Sequence, residues 1–101
     1  MKAAPLEGIR VIDLGHEWAC PHAGRLLADF GADVIKVEYI HRLDHMRGAR
    51  KDNRMYNKHP RFLQLNRNKH SVTLDLKEPD QRTIFEDLVR VSDVVLSNSR
   101  P

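Results

Sequence analysis

The strongest local site in the sequence is a run of five residues, in which the four after the leucine have side chains suited to binding phosphate: Leu65, Asn66, Arg67, Asn68 and Lys69. A turn rich in asparagine presents backbone N–H groups and amide side chains, and Arg67 and Lys69 add positive charge. We therefore predict an anion-binding turn. The alternative is a hairpin turn that the chain requires for its conformation alone, and the two interpretations are compatible.

Two further segments place polar or aromatic side chains directly after a predicted strand. They are Glu17, Trp18 and Ala19 after the first strand, and Asn98, Ser99 and Arg100 after the last. The indole of Trp18 could stack on a flat ligand. Packing within the protein, or in a dimer contact, is an equally weighted alternative for this residue.

Other site chemistries are disfavoured by the sequence. Cys20 would need a base to act as a nucleophile, and sequence spacing alone does not bring His16 or His22 to it. The histidines of residues 41–70 are scattered without the carboxylate pattern of metal ligands, so no metal site is predicted. The Gly-x-Gly-x-x-Gly fingerprint is absent, although Glu38 closes a strand as a ribose-binding acid would, which argues against NAD.

The elements that position these residues begin with a β-α-β unit. Ile9–Leu14 is a short apolar run with β-branched residues, as in a buried strand. Pro21 suits the first turn of a helix, apolar residues follow at helical spacing, and Gly31 is predicted to be its left-handed C-cap. Val34–Glu38 is the second strand, joined to the first by a right-handed connection.

The remaining chain extends this alternation. The predicted elements are a long basic loop over residues 41–61, a short strand at Phe62–Leu65, a half-buried strand at Ser71–Leu76, a helix from about Pro79 to Val91 and a strand at Val94–Leu96. The fold class is therefore α/β, with a Rossmann-like, open, mostly parallel sheet whose ligands bind beyond the carboxyl ends of the strands. Because a parallel sheet rarely ends on a bare strand, we expect residues 1–101 to be an incomplete domain of a longer protein.

Composition limits the functional classes. The net charge is only +3, yet residues 39–70 hold nine of the 17 Lys and Arg against Asp44 and Asp52, so a basic module that binds a polyanion is one alternative. The segment lacks interleaved aromatics and an RNA-binding signature, which argues against nucleic acid. A single cysteine excludes an internal disulfide. The absence of a long apolar run and of a signal-peptide pattern predicts a cytoplasmic location with no membrane partner.

Three blocks of the sequence, in order, resemble the class III coenzyme A transferases, the CaiB/BaiF family. The blocks are Leu6–Leu14 with Ala19, Pro21 and Leu26–Glu38, then Leu65–Lys77, then Ser92–Pro101. This family includes formyl-CoA transferase, carnitine CoA-transferase and α-methylacyl-CoA racemase. The resemblance implies the N-terminal, CoA-binding segment of a larger fold that forms an interlocked homodimer.

The resemblance also implies a set of CoA contacts. They are Glu17, Trp18, Ala19, Tyr39, Arg47, Leu65, Asn66, Arg67, Asn68, Lys69, Asn98, Ser99 and Arg100. Tyr39 stands where many relatives have a phosphate-binding arginine, for which Arg42 or Arg47 could substitute. The chain departs from the family pattern at Trp18 and Cys20, and at Ser99 it lacks the usual aromatic residue. For any single arginine of the loop, a solvated position is the alternative.

The expected function is the CoA-binding part of an enzyme that transfers CoA between an acyl-CoA and a carboxylic acid. CoA is then a substrate, with no covalently bound cofactor, and the nucleophilic aspartate is expected downstream of this chain. The resemblance leaves a racemase-type enzyme of the same family open. Two competing hypotheses are a polyanion-binding module and a truncated product without function. We expect the segment by itself to be inactive.

Overall fold

The computed structural model describes residues 3–48 and 52–100. Strands and helices alternate in chain order: β1 (Arg10–Asp13), α1 (Ala19–Asp29), β2 (Asp33–Glu38), 3-10 helices at His45–Arg47 and Asp52–Asn57, α2 (Pro60–Leu65), β3 (His70–Thr73), α3 (Pro79–Arg90) and β4 (Val94–Leu96). The predicted α/β class is confirmed.

The four strands form one parallel sheet in the order β3-β2-β1-β4. In the central strand β1, Val11 is in register with Val34 of β2 on one side and with Val94 of β4 on the other. The chain builds outward from β1 through β2 to β3 and then crosses to the opposite side for β4. The strand order therefore reverses beside β1, which is where ligands bind in open α/β sheets.

Both faces of the central strands β1 and β2 are covered, as their apolar runs predicted, whereas β3 and β4 are largely exposed. On one face Val11 and Val34 pack with Ala28 of α1. On the other face Ile12, Val37 and Leu74 pack against the apolar side of α3, which supplies Phe85 and Leu88. Successive residues of β1 thus pack into opposite layers.

The end of α1 is specified locally. Gly31 has φ +102°, a conformation that costs glycine little. Its N–H donates to the Ala28 carbonyl (3.0 Å), and the Ala32 N–H donates to the Leu27 carbonyl (3.1 Å). These two bonds form a Schellman motif, so the predicted glycine C-cap is confirmed.

The prediction of a strand at Phe62–Leu65 is wrong, because these residues belong to helix α2. Pro60 occupies the first helical turn, where its missing N–H has no cost. Phe62 and Leu65, three residues apart, lie on the buried side of the helix, while Leu63 is half exposed. The turn after Leu65 therefore joins a helix to β3, and the hairpin alternative for it is also wrong.

The prediction that residues 41–61 form a long loop is wrong in part. Their described residues include two 3-10 helices and the first residues of α2. The Asp44 side chain caps the first 3-10 helix by accepting from the Met46 N–H (3.0 Å). Residues 49–51 lie outside the described part of the chain. None of the described helices has the length and apolar character needed to cross a membrane.

Candidate functional site

A pocket of about 620 Å³ opens at the carboxyl edge of the sheet, where the strand order reverses. Three segments form it: the loop after β1, the chain after β2 and the chain after β4. The lining residues are His16, Glu17, Tyr39, Arg42, Leu43, His45, Asn98, Ser99 and Arg100. Segments far apart in sequence therefore share one site.

Five residues predicted from the sequence as ligand contacts line this pocket: Glu17, Tyr39, Asn98, Ser99 and Arg100. The described lining does not include the predicted contacts Trp18 and Ala19, which lie beside it at the start of α1. Trp18 is 53% exposed. The structure thus joins the loop enclosed by the first resembling block to the third block at one site.

Asn98 joins the chain after β4 to the loop after β1. Its Oδ1 accepts from the His16 N–H (3.0 Å), and its Nδ2 donates to the His16 carbonyl (2.9 Å). The Leu14 N–H donates to the Leu96 carbonyl (2.9 Å) and extends the pairing of the two segments. The amide of Asn98 therefore fixes the pocket wall through backbone atoms.

Glu17 lies at the pocket rim in a left-handed conformation, with φ +67°. Such a conformation is uncommon for a residue with a side chain and costs of the order of 1–3 kcal/mol. Its N–H donates to Asp44 Oδ1 (2.9 Å), and its Oε1 is 2.8 Å from His45 Nδ1. Both partners lie in the segment after β2, so Glu17 links two walls of the pocket.

Arg47 is outside the described pocket lining and is only 6% exposed. It forms a bidentate pair with Glu38 (2.6 and 3.0 Å) and donates to the Tyr56 carbonyl and to Asn57 Oδ1. Its guanidinium also lies over the Phe62 ring, 3.6 Å from the centroid. The alternative of a solvated surface position is wrong for this arginine.

Glu38 is ionised inside the protein despite its burial. Burial alone would raise the pKa of this carboxyl group, but hydrogen bonds from Arg47 and from the Asp44 N–H, with the positive charge of Arg47, hold its pKa below the usual range. Both carboxylate oxygens accept these bonds. Glu38 therefore performs a structural task and does not present a free carboxylate to a ribose.

The turn Leu65–Lys69 packs along α1, and the described lining of the pocket contains none of its residues. Lys69 Nζ is buried and donates to Asp13 Oδ2 (2.7 Å), the Pro21 carbonyl (2.9 Å) and Asn66 Oδ1 (2.7 Å). Burial lowers the pKa of Lys69, and the charge of Asp13 partly opposes this effect.

The exposed end of the same turn binds the last turn of α1. Arg67 and Asn68 both donate to the Asp29 carboxylate (2.8 Å each). Asn68 adopts φ +65°, a left-handed conformation that asparagine tolerates in turns. In this structure, the polar groups of the turn that suit phosphate serve to attach it to α1.

Cys20 is buried beside Asp13, with 3.8 Å between Sγ and Oδ1. Burial, together with the negative charge of Asp13, raises the pKa of Cys20 to about 11. His22, one of the bases considered for it, lies instead 2.8 Å from an Arg25 nitrogen through its Nδ1. This environment favours the neutral thiol, which is a poor nucleophile.

We expect Cys20 to be alkylated at pH 7.5 roughly 100-fold more slowly in the folded protein than in urea, because a rise of about two pKa units reduces the thiolate fraction by that factor. Mass spectrometry of the peptide containing Cys20, after timed exposure to iodoacetamide, measures this rate. Equal alkylation rates in the folded and unfolded states would contradict the inference that the folded protein keeps the Cys20 thiol neutral and unreactive.

Sequence reasoning did not select His16, Leu43 and His45 as pocket residues. His16 follows the first strand directly, so its position in the predicted ligand loop was a usable signal. Leu43 and His45 gave no such signal, because their placement depends on the long-range bonds of Asp44. Within residues 3–48 and 52–100, no group of three or more His, Cys, Asp or Glu is arranged to hold a metal ion.

Comparison with known proteins shows similarity to CoA-transferases, both in a family model and in individual relatives. Residues 6–101 match the family model described as CoA-transferase family III. The alpha subunit of succinyl-CoA--L-malate CoA-transferase from Chloroflexus aurantiacus is 39% identical over 97 residues, which are 96% of this chain and 23% of that protein. Formyl-CoA:oxalate CoA-transferase from Rhodopseudomonas palustris (strain TIE-1) is 41% identical over 100 residues, which are 95% of this chain and 22% of that protein.

Two solved structures are similar to this chain over most of its length. A variant of Rv3272 from Mycobacterium tuberculosis superposes with a TM-score of 0.82 at 38% identity, over 98% of this chain and 26% of that one. A CAIB/BAIF family protein from Brucella suis gives a TM-score of 0.76 at 33% identity, over 93% of this chain and 25% of that one. The chain thus spans about a quarter of the length of these proteins.

Proposed function

Since this chain belongs to CoA-transferase family III, we propose that the whole protein transfers coenzyme A between an acyl-CoA and a carboxylic acid. The segment of 101 residues supplies part of the CoA-binding site. The activity is inferred from relatives that are about four times longer than this chain. The chain matches 23% and 22% of the length of the two relatives described above.

The observation that carries the proposal is the convergence of two family-like blocks on one pocket. Glu17 lies in the loop enclosed by the first block, Asn98, Ser99 and Arg100 belong to the third, and all four line the space beside β1. The two segments lie far apart in the sequence, and the strand order brings them together at the edge of the sheet where ligands bind. The pocket is the candidate CoA site.

The charge of the pocket favours a phosphorylated ligand. Arg42 and Arg100 lie in its lining with two histidines, against the single carboxylate of Glu17, which already contacts His45. Guanidinium groups bind phosphate oxygens through charge-assisted hydrogen bonds. The segment thus holds and orients CoA.

The covalent chemistry is assigned to an aspartate outside this segment. Two aspartates near the pocket, Asp13 and Asp44, are buried in ion pairs with Lys69 and Lys36, so neither is a free nucleophile. Attack of a carboxylate on an acyl-CoA thioester is the reaction that the family resemblance implies. Homodimerisation, and the CoA contacts at Trp18, Ala19, Arg47 and Leu65–Lys69, stay predictions.

The polyanion-binding alternative is weakened by the fate of the basic residues. Arg47 and Lys69 are buried in ion pairs, and Arg67 pairs with Asp29. The basic segment therefore presents less positive charge to a polyanion than its composition suggests.

We expect Arg100→Ala and Arg42→Ala each to weaken CoA binding by roughly 10- to 100-fold, because a hydrogen bond to a charged group is worth about 1.5–3 kcal/mol. The measurement is isothermal titration calorimetry with the full-length product of the reading frame that contains this chain. Dephospho-CoA identifies which arginine meets the ribose phosphate, since the deficit of that variant should largely disappear with this ligand.

Arg90→Ala is the matched control, because Arg90 lies on the exposed side of α3 and pairs with Asp87. It should bind CoA like the parent. A folded parent that ignores CoA but binds a short oligonucleotide, with an affinity that falls steeply with salt, would overturn the proposal in favour of the polyanion module.

A further inference from the structure

Lys36 and Asp44 form an ion pair between two segments that line the pocket. Their side chains are 1% and 0% exposed, and Lys36 Nζ lies 2.9 Å from Asp44 Oδ2. Burying two charges is costly, and such a pair contributes little net stability compared with well-packed apolar residues. The other bonds made by the pair indicate what it does.

Each partner binds the backbone of the loop after β1. Lys36 Nζ donates to the Gly15 carbonyl (2.8 Å), and Asp44 Oδ1 accepts from the Glu17 N–H (2.9 Å). Asp44 also accepts from the Met46 N–H (3.0 Å) in its own segment. The pair therefore ties the loop after β1 to the segment after β2.

These two segments form facing parts of the pocket lining. His16 and Glu17 come from the first, and Leu43 and His45 come from the second. At the rim, Glu17 Oε1 and His45 Nδ1 are 2.8 Å apart, so a second, exposed contact lies above the buried one. The separation of the two segments is thus set at two levels.

The Asp44 bond also accounts for the conformation of Glu17. A left-handed residue with a side chain persists only where its surroundings hold it. Asp44 provides a charged acceptor for the N–H of that residue. Although burial by itself would raise the pKa of Asp44, the bond and charge of Lys36 and the two backbone donors hold it below the usual range, so the acceptor is ionised.

We propose that Lys36 and Asp44 are positioning residues that fix Glu17 and the loop after β1 against the segment after β2, and so set the width of the pocket. Their effect on CoA affinity rests on the function proposed above, whereas their effect on loop order does not. The buried pair Glu38–Arg47 differs from it, because its bonds go to Asp44, Tyr56 and Asn57, all after β2, and among the described residues none of its bonds goes to the loop after β1.

The test compares two double variants that remove both charges and so leave no buried ion unpaired. In Lys36→Met/Asp44→Asn, the amide oxygen can still accept from the Glu17 N–H. In Lys36→Met/Asp44→Leu, a side chain of similar size offers no acceptor. We expect the Glu17 amide to exchange with deuterium at least 10-fold faster in the leucine variant than in the asparagine variant.

Hydrogen exchange with mass spectrometry on the full-length protein, resolved to peptides covering residues 14–18 and 43–47, measures this difference. Val34→Ala is the matched control, because it leaves a void under α1 on the same strand β2 without touching either segment. Its exchange in residues 14–18 should stay near that of the parent. Equal Glu17 exchange in the two double variants would overturn the inference.

The parent protein provides a test that does not depend on any variant folding. Its Glu17 amide, although the residue is exposed, should exchange at least 10-fold more slowly than an unprotected amide, and an unprotected rate would overturn the inference.

In catalysis, the leucine variant should raise KM for the acyl-CoA about 10-fold with kcat changed less than 3-fold. A parent that does not bind CoA would contradict the proposed function, while the exchange comparison still decides the positioning role.

Discussion

Replacing Arg47 by methionine is expected to lower the free energy of unfolding by about 3–5 kcal/mol at pH 7, because it leaves the buried Glu38 carboxylate without its charged partner. The substitution also removes the guanidinium that binds the Tyr56 carbonyl and Asn57 and lies over Phe62. The second 3-10 helix and α2 contact the sheet through this residue, so their order should fall first, whereas the first 3-10 helix is also tied to β2 by the Lys36–Asp44 pair.

The loss should depend on pH in a defined direction. In the parent the pKa of Glu38 is depressed, so its stabilising contribution is complete above the unfolded value near 4.5 and is lost as the pH falls through the folded value. In the variant burial raises that pKa, and protonation then relieves the unpaired charge. The stability difference between parent and variant should therefore shrink as the pH falls from 7 towards 4.5.

Urea unfolding followed by circular dichroism at pH 7 and pH 5 measures both effects. Arg82→Met is the matched control, because it breaks the exposed Arg82–Glu86 pair on α3 and should leave the unfolding curve close to that of the parent. A loss for Arg47→Met below about 1 kcal/mol, the range of a surface pair, would contradict the structural role.

The alternation of strands and helices could be predicted because its signals are local. The apolar runs Ile9–Leu14 and Val34–Glu38 contain β1 and most of β2, and Gly31 ends α1 in the predicted motif. The predicted helix from Pro79 to Val91 matches α3 to within one residue. Periodicity and capping act over a few residues, so a single sequence contains the information.

The segment from 41 to 65 could not be predicted in the same way. Asp44 and Arg47 look like solvated loop residues by type, yet both are buried because Lys36 and Glu38 of β2 bind them. A charged residue can form part of a core only when its partner is in place. Tertiary structure determines that partner. The short apolar pattern at Phe62–Leu65 fits a strand or a helix, and the structure shows a helix.

The candidate site also contains residues that could be predicted from the sequence and residues that could not. Glu17 and Asn98 follow strands, and topology alone brings such residues to one edge of the sheet. The turn Leu65–Lys69 has the chemistry of a phosphate site, but α1 offers Asp29 and the end of β1 offers Asp13 to the same groups. Residue type shows what a side chain can bind, and the fold determines which partner reaches it.

That competition between two roles leads to the second large effect, at Lys69. Its ammonium is the only charged partner of Asp13 among the ion pairs of the described residues, and both side chains are almost fully buried. Lys69→Met should therefore lower the free energy of unfolding by about 3–5 kcal/mol. Lys69→Met/Asp13→Asn should recover most of this loss, because the amide oxygen can still accept from the Gly15 N–H without leaving a buried charge.

Urea unfolding of the two variants, combined with CoA titration, separates structure from ligand binding at this turn. If Lys69 attaches the turn to α1, stability falls in the single variant and returns in the double variant, and CoA affinity in the double variant stays near that of the parent. If the turn binds phosphate, as its residue types predict, the double variant regains stability but still binds CoA at least 10-fold more weakly.

Arg67→Met tests the exposed end of the turn in the same way, since its pair with Asp29 is solvated and its loss should leave the unfolding curve nearly unchanged.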